Sequence, residues 1–474
     1  MLVSASEAIS VLDPLAALEA VERAAQTDDE LAALLRAGRM FWTSSRDEFA
    51  LAGIGAAATI APTGPERFSS ADRAWRALLD GALGDEARID TPTVGPILMG
   101  GFSFEPDGPR SELWRGFSST HLVVPGLHVT ARGGRCWLTA ATLVGVDGQL
   151  SIGLDLLARL RAIVLATPVR ARMESSEPAF SPRLTFADVR PEAEWRAFVG
   201  DAVAAIHEGT LQKVVLARAV HTVAAQDVNV TALLDHLRSV HRDGYTFGYW
   251  RGEHAFVGAS PERLVRLAGR DVEASSLAGS ARRGASPRED AALAAELQSS
   301  AKDRVEHAMV RSALRGALAQ LCDDVTSMNE PSLLTLPHVH HLHTAVRARL
   351  RPGHSMLDLV GALHPTPAVG GAPRASALRF IREREQLDRG WYAGPIGWIG
   401  RDGGEFAVAL RCALIAGREA TLFAGCGIVA ASDPALELAE SEIKLRPMQS
   451  ALAVTLGESA PGLIAMVGAP ARQA

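Results

Sequence analysis

The sequence predicts a protein that mixes α-helices with β-strands, and three stretches carry that expectation. Residues 11–38 are rich in alanine and leucine with acids interspersed, a helical pattern, while "LHVTARGGRCWLTAATLVGV" reads as two strands around a Gly-Gly turn. Farther along, "EAEWRAFVGDAVAAIHEGT" repeats apolar residues at helical spacing as far as Gly209, and the β-branched run of "LQKVVLAR" follows at once. With 474 residues, 47% of them hydrophobic, there is ample material for a large core.

Charge and cysteine usage narrow the setting. A formal net charge of -6 with no long basic run argues against nucleic acid or an anionic membrane as partner. Cys136, Cys322, Cys412 and Cys426 are far apart and form no CxxC, so they read as reduced thiols of a cytoplasmic protein. The opening "MLVSASEAIS" lacks the blocks of a signal peptide, and no apolar run reaches the length of a membrane span.

The elements follow in order. From 167 to 190 the chain is rich in Pro, Ser and charge and loses its periodicity, which sets the main boundary there: residues 1–185 as an amino-terminal mixed part of the same body, 190–460 as a second, larger domain, and 461–474 as a tail. "YTFGYWRGEHAFVGASPERLVRL" suggests a hairpin, followed by one long helical stretch over 286–321. Ser286 as N-cap, Pro287 at N1 and Glu289 at N3 form a capping box at its start. Asp433 and Pro434 open the last helix, which Pro447 is expected to end or kink.

Several residues on these elements could carry chemistry. Asp303 with Glu306, and Glu437 with Glu440, are carboxylates spaced three apart on helices, so each pair shares a face. Either pair alone reads as a solvated face; two such helices converging would supply the oxygen ligands of Mg²⁺. Lys213, at the head of its strand, either snorkels to water or, desolvated inside a site, serves as a base. In "HVHHLHT" the strand period turns His338 and His340 to one face and His341 and His343 to the other, against a four-histidine zinc site. "GASPE" lacks the last glycine of a nucleophile elbow, which makes Ser260 a turn residue. "GCGIVA" satisfies GxGxxA without a βαβ context, and reads instead as a glycine turn whose N–H groups could meet a carboxylate.

Taken in order, "LQKVVLAR", "GASPERL", "LAGSARR", "KDRVEH", "HHLHT", "LHPTPAVGGAP", "GWYAGPIGW", "ALRCALI", "FAGCGIV" and "ELAESEIKL" resemble the chorismate-utilising family. That family comprises isochorismate synthases, salicylate synthases and the large subunits of anthranilate and aminodeoxychorismate synthase. The match covers roughly residues 190–455, with "GGFSF" at 100–104 extending it weakly. The resemblance implies an α+β fold in which two antiparallel-rich sheets pack face to face, flanked by helices, with the active site between them. It implies Glu306 and Glu440 as Mg²⁺ ligands, supported by Asp303 and Glu437. Arg411, Lys444 and the turn at Gly425 would hold substrate carboxylates, Gly279 and Ser280 the ring, and Tyr392 the enolpyruvyl group. His341 matches the family's "HL" histidine, and His340 stands where many relatives carry Trp or Met.

Within the family, a lysine at the Lys213 position resembles the water-adding members. There it acts as general base toward C2 of chorismate, and Glu262 resembles the general acid for the departing C4 hydroxyl. "LAGSARR" and "LHPTPAVGGAP" are closest to isochorismate synthase, feeding menaquinone or a siderophore, with the menaquinone role preferred by analogy. A salicylate synthase and a non-catalytic chorismate-binding subunit are the alternatives. The implied ligands are chorismate and isochorismate, with no glutaminase subunit and a monomeric chain.

Overall fold

The computed structural model describes residues 1–44, 47–84, 94–168, 184–336 and 339–457. Two large sheets organise them. The first has 13 strands, and its central run is Lys213–Val223, Glu419–Ile428, Cys412–Ala416, His254–Ser260, Tyr245–Arg251, Arg39–Ser44, Phe49–Ile54, Leu127–Arg132 and Arg135–Leu143. The second has 10 strands and runs from Cys322–Ser327 through Val339–Leu350, Asp271–Arg282, Arg263–Ala268, Gly403–Val408 and Pro395–Ile399 to Leu98–Phe102, Thr120–Val124 and Ala58–Ile60. Among the described residues the one parallel strand pair joins Leu2–Ile9 to Leu83–Gly84 at a rim of the first sheet.

The sheets face each other across one apolar core. Phe49 of the first packs on Trp398 of the second with ring centroids 5.2 Å apart, and the Tyr245 hydroxyl crosses to Glu405 at 2.7 Å. Both sheets draw strands from before and after residue 185. Most of the boundary stretch at 167–190 lies outside the described residues, as do His338 and the tail at 461–474.

The expected hairpins form. Leu127–Arg132 and Arg135–Leu143 pair antiparallel around Gly133 and Gly134, and Tyr245–Arg251 pairs with His254–Ser260. The chain then crosses between sheets at Pro261 and Glu262, and Arg263–Ala268 joins the second sheet. Ser260 makes that turn: its hydroxyl donates to the Val408 carbonyl at 2.6 Å and accepts from the Glu262 amide at 3.2 Å.

Three expectations need correction. The long helical stretch is two helices, Pro287–Ser299 and Ala301–Ala319, because Ser300 takes an extended backbone and caps the second through the Asp303 amide. At the first cap Ser286 does accept from the Glu289 amide, but the Glu289 carboxylate reaches Ala285 and Arg282, so the reciprocal half of the box slips by one residue. Of the two outcomes expected at Pro447, an end to the last helix is the one overturned, since the helix runs on over Pro434–Thr455. Its neighbours Leu445, Met448, Ala451 and Leu452 are buried, and this packing offsets the loss of one backbone hydrogen bond.

Candidate active site

A cavity of about 250 Å³ opens between the sheets, walled by the lysine strand Lys213–Val223, its partner Glu419–Ile428, the turn at Glu262, the strands bearing Gly279 and His341, and the two acid-bearing helices. All thirteen side chains or glycines singled out from sequence line it: Lys213, Glu262, Gly279, Ser280, Asp303, Glu306, His341, Tyr392, Arg411, Gly425, Glu437, Glu440 and Lys444. The helices Ala301–Ala319 and Pro434–Thr455 therefore converge, a fact that spacing alone left open.

Lys213 does not snorkel. It is 1% exposed, and its Nζ lies 2.7 Å from Glu306 Oε1. Room for the ammonium comes from Gly427 on the paired strand, where a Cβ would come within 2.9 Å of Lys213 Cε. Gly425 makes a similar allowance for the Tyr392 hydroxyl, 2.7 Å from its missing Cβ. These glycines lie inside Glu419–Ile428 in full register with the lysine strand, so "GCGIVA" begins in a strand and is not the expected glycine turn. The absence of side chains, rather than a turn, is what the cavity uses there.

The carboxylates differ by environment. Burial pushes Glu262 up to about 8 against the opposing fields of Lys213 and Lys444, so it stays protonated at neutral pH. Burial also acts on Glu306, but the field of Lys213 and its hydrogen bond more than offset this and hold it below its ordinary range. Glu437 is pushed up to about 7 by burial and then by the charge of Glu440, while Ser432 donates to it at 2.7 Å. Asp303 is raised, chiefly by burial.

The cations face them. Lys444 bridges Glu440 at 2.7 Å and the Gly425 carbonyl at 3.0 Å, and although burial disfavours its charge, Glu440 keeps it protonated. Arg411 adopts a left-handed backbone with φ of 47°, uncommon outside glycine. Burial lowers it to about 10 with no neighbouring anion acting on it, which suits it to an incoming carboxylate. Arg411 Nη2 lies 3.1 Å from His341 Nε2, and because a guanidinium can only donate, that nitrogen accepts. The His341 proton then sits on Nδ1, facing Ser280 Oγ at 3.0 Å and the Gly279 carbonyl at 3.3 Å. Burial and Arg411 keep this imidazole neutral. His340 turns the other way, to Asp290 at 2.9 Å and Thr335 at 3.0 Å.

Oxygen groups of the type a hard divalent cation takes are gathered here: Glu437 and Glu440 lie close together, and Asp303 and Glu306 line the same cavity. They line one cavity from two helices, and the like charges of Glu437 and Glu440 are left close enough to raise one of them. Cys426 lies beside these two, but its thiol donates to the Glu437 carbonyl at 3.2 Å, leaving oxygen as the ligand type on offer. Lys302, which sequence reasoning passed over, also lines the rim, exposed, and its charge acts on Asp303, Glu306 and Glu437. Its place immediately before Asp303 was the available signal.

The family described as chorismate binding enzyme matches residues 1–453. The chain belongs to the chorismate-binding enzyme family. Among relatives of this family it is 38% identical to the salicylate biosynthesis isochorismate synthase of Pseudomonas aeruginosa, over 96% of this chain and 91% of that one. It is 35% identical to isochorismate synthase MenF of Bacillus subtilis, over 87% and 88% of the two chains. The structure of MenF, the menaquinone-specific isochorismate synthase from Escherichia coli, superposes with a TM-score of 0.75 at 24% identity over 94% of each chain, so the chorismate-binding enzyme fold is shared throughout. Among the described residues no helix is long and apolar enough to cross a membrane.

Proposed function

We propose that this chain is a Mg²⁺-dependent isochorismate synthase, isomerising chorismate by adding water at C2 and expelling the C4 hydroxyl. The observation that carries the reading is the buried pair of opposite character in one cavity: Lys213, and Glu262 held protonated up to about 8. Lys213 must release Glu306 and shed a proton before it can take one from the attacking water. As the new C2–O bond forms, the ring double bonds shift and the C4–O bond breaks. Glu262 delivers its proton to the departing hydroxyl, so one water enters and one leaves. Solvent then returns the proton from Lys213 to Glu262.

Arg411 and Lys444 would bind the two substrate carboxylates, and the neutral His341 keeps the Arg411 fork pointed at the cavity. Tyr392, which burial keeps protonated, would donate beside the enolpyruvyl group. Asp303, Glu306, Glu437 and Glu440 would hold Mg²⁺, which supplies charge neutralisation for the ring carboxylate. The relatives carry names from salicylate biosynthesis and from menaquinone, so the step they share is the one carried over here. The four free, buried cysteines fit a reducing cytoplasm, where we place the chain as a monomer acting without a glutaminase subunit. Mixing chorismate with the Glu262→Gln and Lys213→Ala variants and following isochorismate tests the assignment; turnover retained by either variant removes its residue from the mechanism.

A further inference from the structure

The buried groups unused by this chemistry include one ion pair behind the lysine strand, Glu385 with Arg389, at 2% and 4% exposure. Arg389 reaches Glu385 through Nε and Nη2, each at 2.5 Å, and its guanidinium lies 4.3 Å from the Phe104 ring centroid. The remaining hydrogen bonds of the pair, among the described residues, go to main chain. Nη2 donates to the Val215 carbonyl at 2.7 Å, Nη1 donates to the Val369 carbonyl at 3.0 Å, and Glu385 Oε2 accepts from the Ala217 amide at 2.8 Å.

These contacts fall at a break in a sheet edge. On one side the lysine strand pairs with Glu419–Ile428 along its length. On the other, Gly371–Ala372 covers only Lys213 and Val214, and Ala187–Asp188 covers only Val220 and His221. Between those two stubs the backbone groups of Val215 and Ala217 meet no strand among the described residues. Side chains and one loop carbonyl take them instead: Arg389 at the Val215 carbonyl, Glu385 at the Ala217 amide, Trp195 Nε1 at the Ala217 carbonyl at 3.2 Å, and the Gly370 carbonyl at the Val215 amide at 3.0 Å.

An apolar pair of similar size would leave two carbonyls and an amide buried without partners, a loss for each of them. The planar fork of arginine serves Val215 and Val369 from two nitrogens while pairing both Glu385 oxygens, a geometry the single nitrogen of lysine does not reproduce. Both valines line the cavity, and Val215 lies two residues after Lys213 on the same strand.

We propose that Glu385 and Arg389 are positioning residues for the isomerisation, standing in for a missing strand and fixing the Lys213 strand against the Val369 loop so that the base keeps its place across from Glu262. The inference rests on the isochorismate synthase reading. A displacement on the order of 1 Å at a reacting group costs up to about a hundredfold in rate without touching substrate binding in proportion.

The test compares the parent with Glu385→Gln, Arg389→Lys and the double variant Glu385→Gln/Arg389→Gln, which leaves no lone buried charge. For each, kcat and the KM for chorismate are measured, and substrate sites per chain are counted by equilibrium dialysis against the equilibrated chorismate and isochorismate mixture. The double variant is expected to keep one site per chain and a KM within about threefold, while kcat falls about 10- to 100-fold. Glu385→Gln, which keeps an acceptor for the Ala217 amide, should lose less. Arg389→Lys, which keeps the buried charge but not the fork, should show the same split between kcat and KM and stands in for the double variant if that chain does not fold. Unchanged kcat, or a kcat that falls only in step with lost sites, would overturn the inference. A parent that makes no isochorismate would overturn the activity on which it rests, which keeps the two failures apart.

Discussion

At the residue scale the proposed chemistry divides between Lys213 and Glu262, and their environments set measurable limits. Lys213→Ala should lower kcat by about 10²- to 10⁴-fold, the range for loss of a positioned general base, with an unchanged circular dichroism spectrum. Glu262 must be protonated to act, and burial places it at about 8 in the free protein. The Glu262 requirement should therefore show as an alkaline limb, a fall in kcat/KM as pH rises through that value. Glu262→Gln should remove that alkaline fall along with most of the rate. An alkaline fall that survives in Glu262→Gln would exclude Glu262 as the acid.

At the element scale, strands and helices bring these groups together by what they omit as much as by what they carry. Gly427 has an ordinary extended backbone, so alanine there fits locally, yet its Cβ would press on the Lys213 side chain at 2.9 Å. Gly427→Ala should lower kcat about tenfold, the cost of moving a reacting group by a fraction of an ångström, with a Tm close to that of the parent. Ser300→Ala should remove the cap of the helix bearing Asp303 and Glu306, destabilise the chain by about 1 kcal/mol in denaturant titration, and weaken Mg²⁺ binding measured by calorimetry.

Much of this was legible from sequence. The hairpins, the Asp433 cap and the carboxylate spacing are local signals, and the ordered motifs supplied the convergence of two helices that spacing could not. What was missed is non-local. The break at Ser300 depends on helix packing, Pro447 survives because its neighbours are buried, and "GCGIVA" read as a turn because glycine chosen for close approach looks the same as glycine chosen for a bend. Nothing near Glu385 or Arg389 announces that they complete the edge of a strand more than 160 residues earlier.

Across the whole molecule, two sheets enclose a cavity whose charges nearly cancel. Five acids and four cations line it, and with Glu262 protonated and the other four acids ionised, as a bound cation would hold Glu437, they balance Lys213, Lys302, Arg411 and Lys444. A divalent cation then leaves the excess that a dianion matches. Lys302 is the exposed cation of this set, so its charge would oppose a bound metal and favour an anionic substrate. Lys302→Gln should tighten Mg²⁺ binding to the substrate-free protein and raise the KM for chorismate, each by about two- to fivefold, and both effects should shrink at high salt. Shifts of the same sign for metal and substrate would refute that role. The most direct measurement of all is product analysis, by NMR or chromatography, of the purified protein with chorismate and Mg²⁺, with and without EDTA. An isochorismate synthase gives a metal-dependent approach to a chorismate and isochorismate mixture with no pyruvate; salicylate and pyruvate from chorismate alone, or conversion indifferent to EDTA, would contradict it.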